Sequence, residues 1–370
     1  MRMLFMIHKL TYSGAPKMLS WVANRMAEKG HEVHLVTFFS DEQARLLNEA
    51  IMVHSLNIAQ SNSRVVRNTT GMMKTIIKLH KKVMEIKPDV VVSFLDSVGY
   101  VYLPIAALLT KCKLIASERV DPFSYHRKLA KFRRFSLKCC DRVVFQTEGA
   151  RAFYKEHAPI YNNSIVIPNP VVINPEILEM NKHIPPPSER DNRIVTVGRL
   201  SLRQKRQDIL LEAFQRIHDR YPQYRLVIYG DGPDDKKIQS QIEQMNLSHC
   251  VTLAGRVSNV EKEIFHAAAF VLTSDFEGIP NALIEAMSIG VPVVSTDCSP
   301  GGAALLIKDD KNGYLVPCRD PEIIAEKLSL LLNDPNISAR FSHNCPDIIH
   351  EFSEDSIADK WEMVFTTRKK

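Results

Sequence analysis

The sequence lacks the features that identify several large classes of protein. No apolar run approaches the roughly 20 residues that a helix needs to cross a bilayer. The apolar start of the chain is interrupted by His8 and Lys9 before the core of a signal peptide could form. The seven cysteines are odd in number and show no CxxC spacing, so neither a disulfide framework nor a structural zinc site is expected. These absences predict a cytoplasmic protein that is neither secreted nor membrane-spanning.

The length and composition indicate a globular protein of two domains. With 370 residues, the chain is too long for one ordinary domain. Apolar residues make up 45% and charged residues 24%, the usual balance of a globular protein. The net charge of +6 is unevenly distributed, with basic stretches at 74–87 and 127–142. The first half is therefore expected either to face something anionic or to have well-solvated helices. No recognition motif or aromatic stacking pattern supports nucleic-acid binding.

Short β-branched runs alternate with amphipathic stretches of helical length along most of the chain. One series begins at 3–8, and the same rhythm restarts at 193–198. Such alternation favours parallel sheets with helices on both faces. We predict an α/β protein with two Rossmann-like, doubly wound parallel-sheet domains that face a central cleft. Ligands bind outside the carboxyl ends of the strands in such sheets.

Prolines place the boundary between the two domains. They cluster at Ile167-Pro168-Asn169-Pro170 and again at 185–187, where they forbid helix and weaken strand. We predict an N-terminal domain of residues 1–168, completed by a C-terminal helix of residues 350–370. Residues 169–349 then form the second domain.

Two acidic residues flank a predicted helix start within 274–287. Pro280 lies near the first turn of a short helix predicted over 281–289. Glu277 precedes this helix, and Glu285 lies about one turn inside it. The free N–H groups at a helix start can bind an anion. The segment therefore fits a ligand with a phosphate centre and hydroxyl groups at each end, such as a nucleotide sugar. An ordinary capped helix with two solvated acids is the alternative.

Two cations follow the first strand of the second domain. Strand 193–198 ends at a glycine, so Arg199 and Lys205 lie on the loop at its carboxyl end. They could neutralise a diphosphate and the charge that develops as it leaves. Because the sequence contains no Asp-x-Asp motif, these cations would replace a divalent metal, and no metal site or cofactor is expected. Arg203 and Arg206 are expected to be merely solvated.

Three turns of small residues also follow predicted strands. They are Thr11-Tyr12-Ser13-Gly14-Ala15-Pro16, Gly230-Asp231-Gly232-Pro233 and Cys298-Ser299-Pro300-Gly301-Gly302. Glycine at such a place lets the backbone approach a phosphate or sugar closely. Each turn alone is weak evidence, and their shared position after strands strengthens it.

Together these segments resemble the GT-B glycosyltransferases of family 4, a retaining group that uses nucleotide-activated sugars. The resemblance spans nearly the whole chain and is strongest from Arg193 to Gly313. The matching motifs are Gly198-Arg199-Leu200 with Lys205, the turn Gly230-Asp231-Gly232-Pro233, and two glutamates around Pro280-Asn281-Ala282.

The resemblance implies a set of donor-binding residues. Arg199 and Lys205 would bind the donor diphosphate. Glu277 would contact the hydroxyls of the donor sugar, and Glu285 those of the ribose. Asn169-Pro170 resembles the family's hinge. The other positions that would contact the nucleotide are Gly14, Ala15, Gly198, Gly232, Val257, Ile279, Asn281, Ala282 and Leu283.

The chain departs from the family pattern at two places. Many members carry a glutamate after the Ser-Gly-Gly-like loop, and here Gly302-Ala303 leaves that contact absent. Many also place a first-domain histidine near a sugar hydroxyl. The matching stretch here reads Ser117-Glu118-Arg119, so Glu118 is predicted to take that catalytic place. The Ser-Glu-Arg form is similar to bacterial transferases that build lipid-linked surface or N-glycan oligosaccharides, often from UDP-N-acetylhexosamines.

A basic helix is predicted in the first domain. Lys128, Lys131, Arg134 and Lys138 recur at helical spacing, with Phe132 and Phe135 nearby. Such a helix suits an anionic inner-membrane surface or the pyrophosphate of a polyprenyl-linked acceptor. A solvated helix with an apolar back is an equal alternative.

The function predicted from the sequence is retaining, metal-independent glycosyl transfer. The donor would be a UDP-hexose or UDP-N-acetylhexosamine, with GalNAc the best guess. The acceptor would be a polyprenyl-diphosphate-linked glycan of bacterial surface-polysaccharide, O-antigen or other glycan assembly. The enzyme would be a cytoplasmic monomer, peripherally associated with the inner membrane. Two alternatives stay open, a nucleotide-sugar epimerase of the same fold and a non-catalytic adaptor that binds sugar nucleotides.

Overall fold

The structure, a computed structural model, describes residues 1–10, 14–38, 47–58, 70–94, 97–124, 127–172 and 175–367. It divides the chain into two compact units, Met1–Pro168 with Asp355–Lys370, and Asn169–Glu354. The return to the first unit occurs at Asp355 rather than at the position 350 expected from the sequence. Within the described ranges, no helix is long and apolar enough to cross a bilayer.

The first unit is built on a seven-stranded parallel sheet. Its strand order is β3-β2-β1-β4-β5-β6-β7. Apart from Arg2 and Lys113 at their starts, the central strands β1, β4 and β5 are mostly apolar and are buried on both faces, as expected for a parallel sheet covered by helices. The strands are β1 Arg2–Ile7, β2 Glu32–Thr37, β3 Met52–Ser55, β4 Val90–Phe94, β5 Lys113–Ser117, β6 Arg142–Phe145 and β7 Ser164–Val166. Its helices before residue 168 are α1 Gly14–Glu28, α2 Thr70–Ile86, α3 Ser97–Leu109, α4 Arg127–Lys138, α5 Glu148–Ala152 and α6 Ala158–Tyr161, with a 3₁₀ turn at Pro122–Ser124.

The second unit contains a six-stranded parallel sheet. Its order is β10-β9-β8-β11-β12-β13. The strands are β8 Asp191–Val197, β9 Arg225–Tyr229, β10 Val251–Gly255, β11 Ala267–Leu272, β12 Val293–Thr296 and β13 Tyr314–Val316. Its helices are α7 Pro175–Lys182, α8 Gln207–Arg220, α9 Asp235–Gln244, α10 Val260–Ile264, α11 Asn281–Ser288, α12 Gly302–Leu306, α13 Pro321–Asn333, α14 Pro335–Asn344 and α15 Ile348–Glu351, with 3₁₀ turns at Pro187–Glu189 and Cys345–Asp347. Both sheets agree with the predicted α/β class.

The last helix, α16 (Glu354–Thr366), packs on the sheet of the first unit. Trp361 is fully buried and stacks on Phe94 with 5.8 Å between ring centroids. Lys113, at the start of β5, donates from Nζ to the carbonyl oxygens of Val364 at 2.5 Å and Phe365 at 3.3 Å. A cation there satisfies carbonyls that have no partner within the helix and favours the negative end of its dipole. Burial lowers the pKa of this ammonium group, and the nearby Arg142 lowers it further.

The strand orders locate a switch point in each sheet. Order reverses between β1 and β4 in the first unit and between β8 and β11 in the second. The loops that leave two such strands diverge to opposite faces, and the crevice between them is the usual ligand site of this architecture. In the second unit, those loops begin after Val197 and Leu272.

We predict that Trp361→Ala destabilises the first unit by about 3–5 kcal/mol, because truncation leaves a cavity beside Phe94. Urea unfolding followed by far-ultraviolet circular dichroism measures the change. Met363→Ala is the matched control, since Met363 lies on the same helix and is 53% exposed. Equal unfolding midpoints for the two variants would contradict a packing role for α16.

Candidate functional site

A lysine and a glutamate meet at the switch point of the second sheet. Lys205 lies on the loop after β8, and Glu277 on the loop after β11. Lys205 Nζ lies 2.5 Å from Glu277 Oε1, and the Ser274 hydroxyl donates to the same oxygen at 3.0 Å. Glu277 is only 9% exposed. The structure therefore brings together two of the predicted site residues in a largely desolvated ion pair.

The loop after β12 packs directly against Glu277. The Glu277 N–H donates to the Ser299 carbonyl oxygen at 2.7 Å. A Cβ on Gly302 would lie 1.8 Å from the carbonyl oxygen of Gly278, so only glycine permits this approach. Burial raises the pKa of the neighbouring Cys298 thiol, and the negative charge of Glu277 adds to the shift. This thiol is therefore held protonated, which makes it a poor nucleophile.

Glycines bring the loops after β8 and β9 into backbone contact. Gly230 has a φ of +131°, and a Cβ there would lie 2.0 Å from the Gly198 carbonyl oxygen. A Cβ on Gly232 would lie 2.2 Å from the carbonyl oxygen of Leu200. On Gly198 itself, a Cβ would lie 3.1 Å from Cε of Lys205. The predicted glycine turn thus supports the loop that carries Lys205.

Helix α11 begins at Asn281, shortly after Glu277 in the sequence. Asn169 Nδ2 donates to Asn281 Oδ1 at 2.9 Å, which fixes the first residue of the helix. Asn281, Ala282 and Glu285 are half-buried. Ile279 and Leu283, in contrast, are buried in the core.

The position of Leu283 limits how it could contact a nucleotide. Its side chain is fully buried, and its N–H donates to the Pro280 carbonyl oxygen at 3.1 Å. A direct ligand contact by Leu283 would therefore require this arrangement to change. The predicted contacts of the other residues at the helix start stay predictions.

Arg199 is exposed, and its backbone is fixed by a hydrogen bond from Gln207 Nε2 to its carbonyl oxygen at 3.0 Å. Among the described residues, no carboxylate pairs with the Arg199 guanidinium. Its charge is thus available to an anion. Val257 is half-buried after the turn at Gly255, whose carbonyl oxygen accepts from the Gly230 N–H at 2.7 Å.

The expectation that Arg206 is merely solvated is wrong. Arg206 Nη2 lies 2.7 Å from Asp208, and its Nη1 lies 3.3 Å from Asp275. Arg319 Nη2 also pairs with Asp275, at 2.7 Å. Burial alone would raise the pKa of Asp275, but hydrogen bonds from Arg319 and Arg206 outweigh it and lower that pKa. Arg203 is exposed, as expected.

Asp275 links the loop that carries Lys205 to the loop that carries Glu277. Asp275 lies two residues before Glu277, and its N–H donates to the Gln204 carbonyl oxygen at 2.8 Å, next to Lys205. Sequence reasoning did not identify Asp275, Arg319 or Ser274. Arg319 could have been found by the rule used for Arg199, because it closely follows the apolar strand β13.

In the first unit, Gly14 and Ala15 form the start of α1, after β1. The residues 11–13 of the same predicted turn lie outside the described part of the chain. The two positions therefore stand at a helix N-terminus, a place where a helix can bind an anion. Their contact with a diphosphate stays a prediction.

Glu118 occupies a different environment from the one its predicted role requires. It is 2% exposed and accepts from Arg133 Nε at 2.6 Å and from the Tyr100 hydroxyl at 3.2 Å. Arg133 is itself 1% exposed. The carboxylate therefore serves as the counter-ion of a buried arginine. A sugar contact by Glu118 stays a prediction, and it would require this pair to open.

The basic helix is α4, and it presents both cations and aromatic rings to solvent. Lys131 and Lys138 are exposed, and Arg134 is half-buried. Phe132 is 40% and Phe135 is 56% exposed. The side chain of the fourth predicted contact, Lys128, lies outside the described part of the structure. Phe132 and Phe135 are thus partly on the surface, whereas a solvated helix with an apolar back would place them against the protein.

Family models match both halves of the chain. Residues 12–174 match Glycosyltransferase Family 4, and residues 179–347 match Glycosyl transferases group 1. Among relatives, the chain is 28% identical over 363 residues to a *Campylobacter jejuni* protein, covering 98% of this chain and 97% of the relative. That protein is named GalNAc-alpha-(1->4)-GalNAc-alpha-(1->3)-diNAcBac-PP-undecaprenol alpha-1,4-N-acetyl-D-galactosaminyltransferase. An uncharacterized *Haemophilus influenzae* glycosyltransferase is 24% identical and covers 93% of each chain.

Solved structures with the same fold include proteins that were crystallised with UDP. *Staphylococcus aureus* TarM, in complex with UDP and other ligands, superposes with a TM-score of 0.78 at 16% identity over 99% of this chain and all of that one. Anabaena HepE with UDP and glucose gives a TM-score of 0.79 at 17% identity over 99% of each chain. The matched models, the two parallel sheets and these neighbours agree, and the chain belongs to the GT-B glycosyltransferases of family 4 and group 1.

Proposed function

We propose that this glycosyltransferase transfers an N-acetylhexosamine from a UDP-sugar, with retention of the anomeric configuration, to a polyprenyl-diphosphate-linked glycan. The observation that carries the proposal is the Lys205–Glu277 pair at the switch point. It sets a cation for a diphosphate beside a carboxylate that can accept hydrogen bonds from sugar hydroxyls. Such a combination suits a nucleotide sugar better than a nucleotide or a sugar alone.

The donor diphosphate is proposed to lie between Arg199, Lys205 and the start of α11. Arg199 is exposed on the same loop as Lys205, and the N–H groups at Asn281 and Ala282 add the positive end of the helix dipole. The pyrophosphate gains negative charge as the sugar leaves. Fixed cations in a partly desolvated site stabilise that charge without reorganisation of solvent.

The proposed chemical step is displacement on one face of the sugar. The acceptor hydroxyl oxygen forms a bond to C1 of the donor sugar while the bond from C1 to the diphosphate oxygen breaks. The electron pair of the broken bond stays on the diphosphate, and the proton of the acceptor hydroxyl passes to that departing oxygen. Burial raises the pKa of the Cys298 thiol and Lys205 holds the Glu277 carboxylate, so we propose a step without a covalent intermediate.

The proposed donor and acceptor rest on the relatives as well as on the site. The *Campylobacter jejuni* relative is named for GalNAc transfer to an undecaprenol-linked glycan, and the structural neighbours bind UDP. We therefore propose UDP-GalNAc as the donor to test first. The cationic and aromatic face of α4 fits the anionic headgroups or pyrophosphate of such an acceptor at a membrane surface.

We predict that UDP is released from UDP-GalNAc only when a lipid-linked acceptor is present, and that an α-linked donor gives an α-linked product. UDP release and the anomeric coupling of the product by NMR measure this. UDP-sugar incubated without acceptor is the control. Formation of an epimeric UDP-sugar in that control would favour an epimerase, and binding of UDP-sugar without any turnover would favour an adaptor.

We predict that Lys205→Met lowers kcat by about 10²–10³-fold, because the departing diphosphate loses a fixed cation. The variant Arg203→Met removes an exposed cation from the same loop and should retain activity. Since Lys205→Met leaves Glu277 without its lysine, Lys205→Met/Glu277→Gln is measured alongside, with circular dichroism melting of each protein. Full activity in well-folded Lys205→Met would contradict the proposed role.

We predict that Lys131→Glu/Arg134→Glu weakens binding to vesicles that contain anionic lipid by more than about tenfold, since each basic residue near such a surface contributes about 1 kcal/mol. Vesicle co-sedimentation at low and high salt measures the binding. The control is Arg203→Glu/Lys236→Glu, which makes the same change in net charge in the second unit. Equal binding by both double variants would leave α4 as a solvated helix.

A further inference from the structure

A cluster of metal-binding side chains lies in the second unit, away from the Lys205–Glu277 pair. His218 belongs to the last turn of α8, and His249 and Cys250 directly precede β10. All three therefore lie near the amino ends of β9 and β10, whereas Lys205 and Glu277 follow the carboxyl ends of strands in the same sheet. The cluster has no part in the proposed transfer reaction.

The imidazole rings of His218 and His249 face each other through their Nε2 atoms. His218 Nε2 lies 3.1 Å from His249 Nε2. His218 Nδ1 lies 3.2 Å from the carbonyl oxygen of Tyr224, a group that can only accept a hydrogen bond. The hydrogen of a neutral His218 therefore belongs on Nδ1, which leaves the lone pair of Nε2 pointing at His249. A backbone carbonyl on the far nitrogen is the usual support of a metal-binding histidine.

Cys250 supplies the third ligand atom. It is 4% exposed, and its sulfur and the two imidazole nitrogens lie within 4.8 Å of one another. In a tetrahedral site, nitrogen ligands lie about 3.3 Å apart and nitrogen and sulfur about 3.6 Å apart, given bond lengths of about 2.05 and 2.3 Å. The nitrogen pair is already close to that distance. The three ligand atoms lie within 4.8 Å of one another, so shifts of about 1 Å would bring them to these distances.

We propose that His218, His249 and Cys250 bind one thiophilic divalent cation of the Zn²⁺ class. Two imidazoles and a thiolate form a borderline-soft ligand set that selects such ions over Mg²⁺ and Ca²⁺. On binding, the Cys250 thiol loses its proton to solvent, and His249 carries its hydrogen on Nδ1. Because His249 is exposed, water completes the fourth position. The ion would link the end of α8 to the start of β10.

The spacing of the cysteines in the sequence does not reveal this cluster. His218 is separated from the adjacent pair His249-Cys250 by more than 30 positions, and the fold brings them together. The connection through α8 leads into the amino end of β9. The connection through α9 leads into the amino end of β10, the strand next to β9 in the sheet. A bound ion would therefore act as a structural clip between two separate βαβ connections.

The experiment is titration of the purified, metal-free protein with Zn²⁺ and, in a separate sample, with Co²⁺ as a spectroscopic probe. We expect one equivalent of Zn²⁺ per chain, no competition from Mg²⁺ or Ca²⁺, and a thiolate-to-Co²⁺ charge-transfer band. His249→Ala should weaken binding by more than the roughly 10–100-fold that loss of an outer-shell partner costs. Cys250→Ser should abolish the charge-transfer band.

Matched controls separate this site from other histidines and thiols. His183→Ala removes an exposed histidine that directly follows α7, and Cys139→Ser removes a half-buried thiol that directly follows α4. Both should keep the stoichiometry and the Co²⁺ spectrum of the unchanged protein. Equal Zn²⁺ affinity in His249→Ala, Cys250→Ser and these controls, or no stoichiometric binding at all, would overturn the proposal. Neither result depends on transferase activity.

Discussion

The Lys205–Glu277 ion pair imposes the strongest constraint on the second unit. Removing a carboxylate or an ammonium group from water costs several kcal/mol, and a partner offsets that cost only when the geometry is good. Here the two charges come from loops after different strands, β8 and β11. The pair is therefore stable only while those two loops keep a fixed separation.

Several neighbouring interactions maintain that separation. The Thr273 hydroxyl donates to the Lys205 carbonyl oxygen at 2.9 Å, and the Asp275 N–H donates to the Gln204 carbonyl oxygen at 2.8 Å. The Asp275 carboxylate forms ion pairs with Arg206, which belongs to the first loop, and with Arg319, which belongs to the loop after β13. The glycines at 198, 230 and 302 remove the side chains that would push these loops apart. Preorganisation of the charges that we propose to bind the diphosphate thus depends on the whole carboxyl edge of the sheet.

The sequence predicted the α/β class and the placement of Arg199, Lys205 and Glu277 on loops after strands, because buried parallel strands are continuous apolar runs that end at recognisable turns. It could not predict the strand order, on which the switch point between β8 and β11 depends. For the same reason, the ion pairs of Asp275 could not be predicted, since its partners come from two other loops. Glu118 shows what cannot be learned by matching a residue to a family motif by its position in the sequence. Its place after β5 was recognised, but the buried Arg133 that pairs with it belongs to a helix whose packing the sequence does not specify.

That buried pair also determines which face of α4 meets the solvent. Arg133 and Leu137 are one helical turn apart and are both 1% exposed, so this side of the helix faces the protein. The Arg133 charge is neutralised by Glu118, and it contributes little to the surface potential. The outward charge of the described part of α4 therefore comes from Lys131, Arg134 and Lys138, which follow one another at helical spacing. With Phe132 and Phe135 exposed among them, the surface combines positive charge with aromatic area. Such a combination would favour the interface of an anionic bilayer over a free anion, which supports the membrane contact proposed for α4.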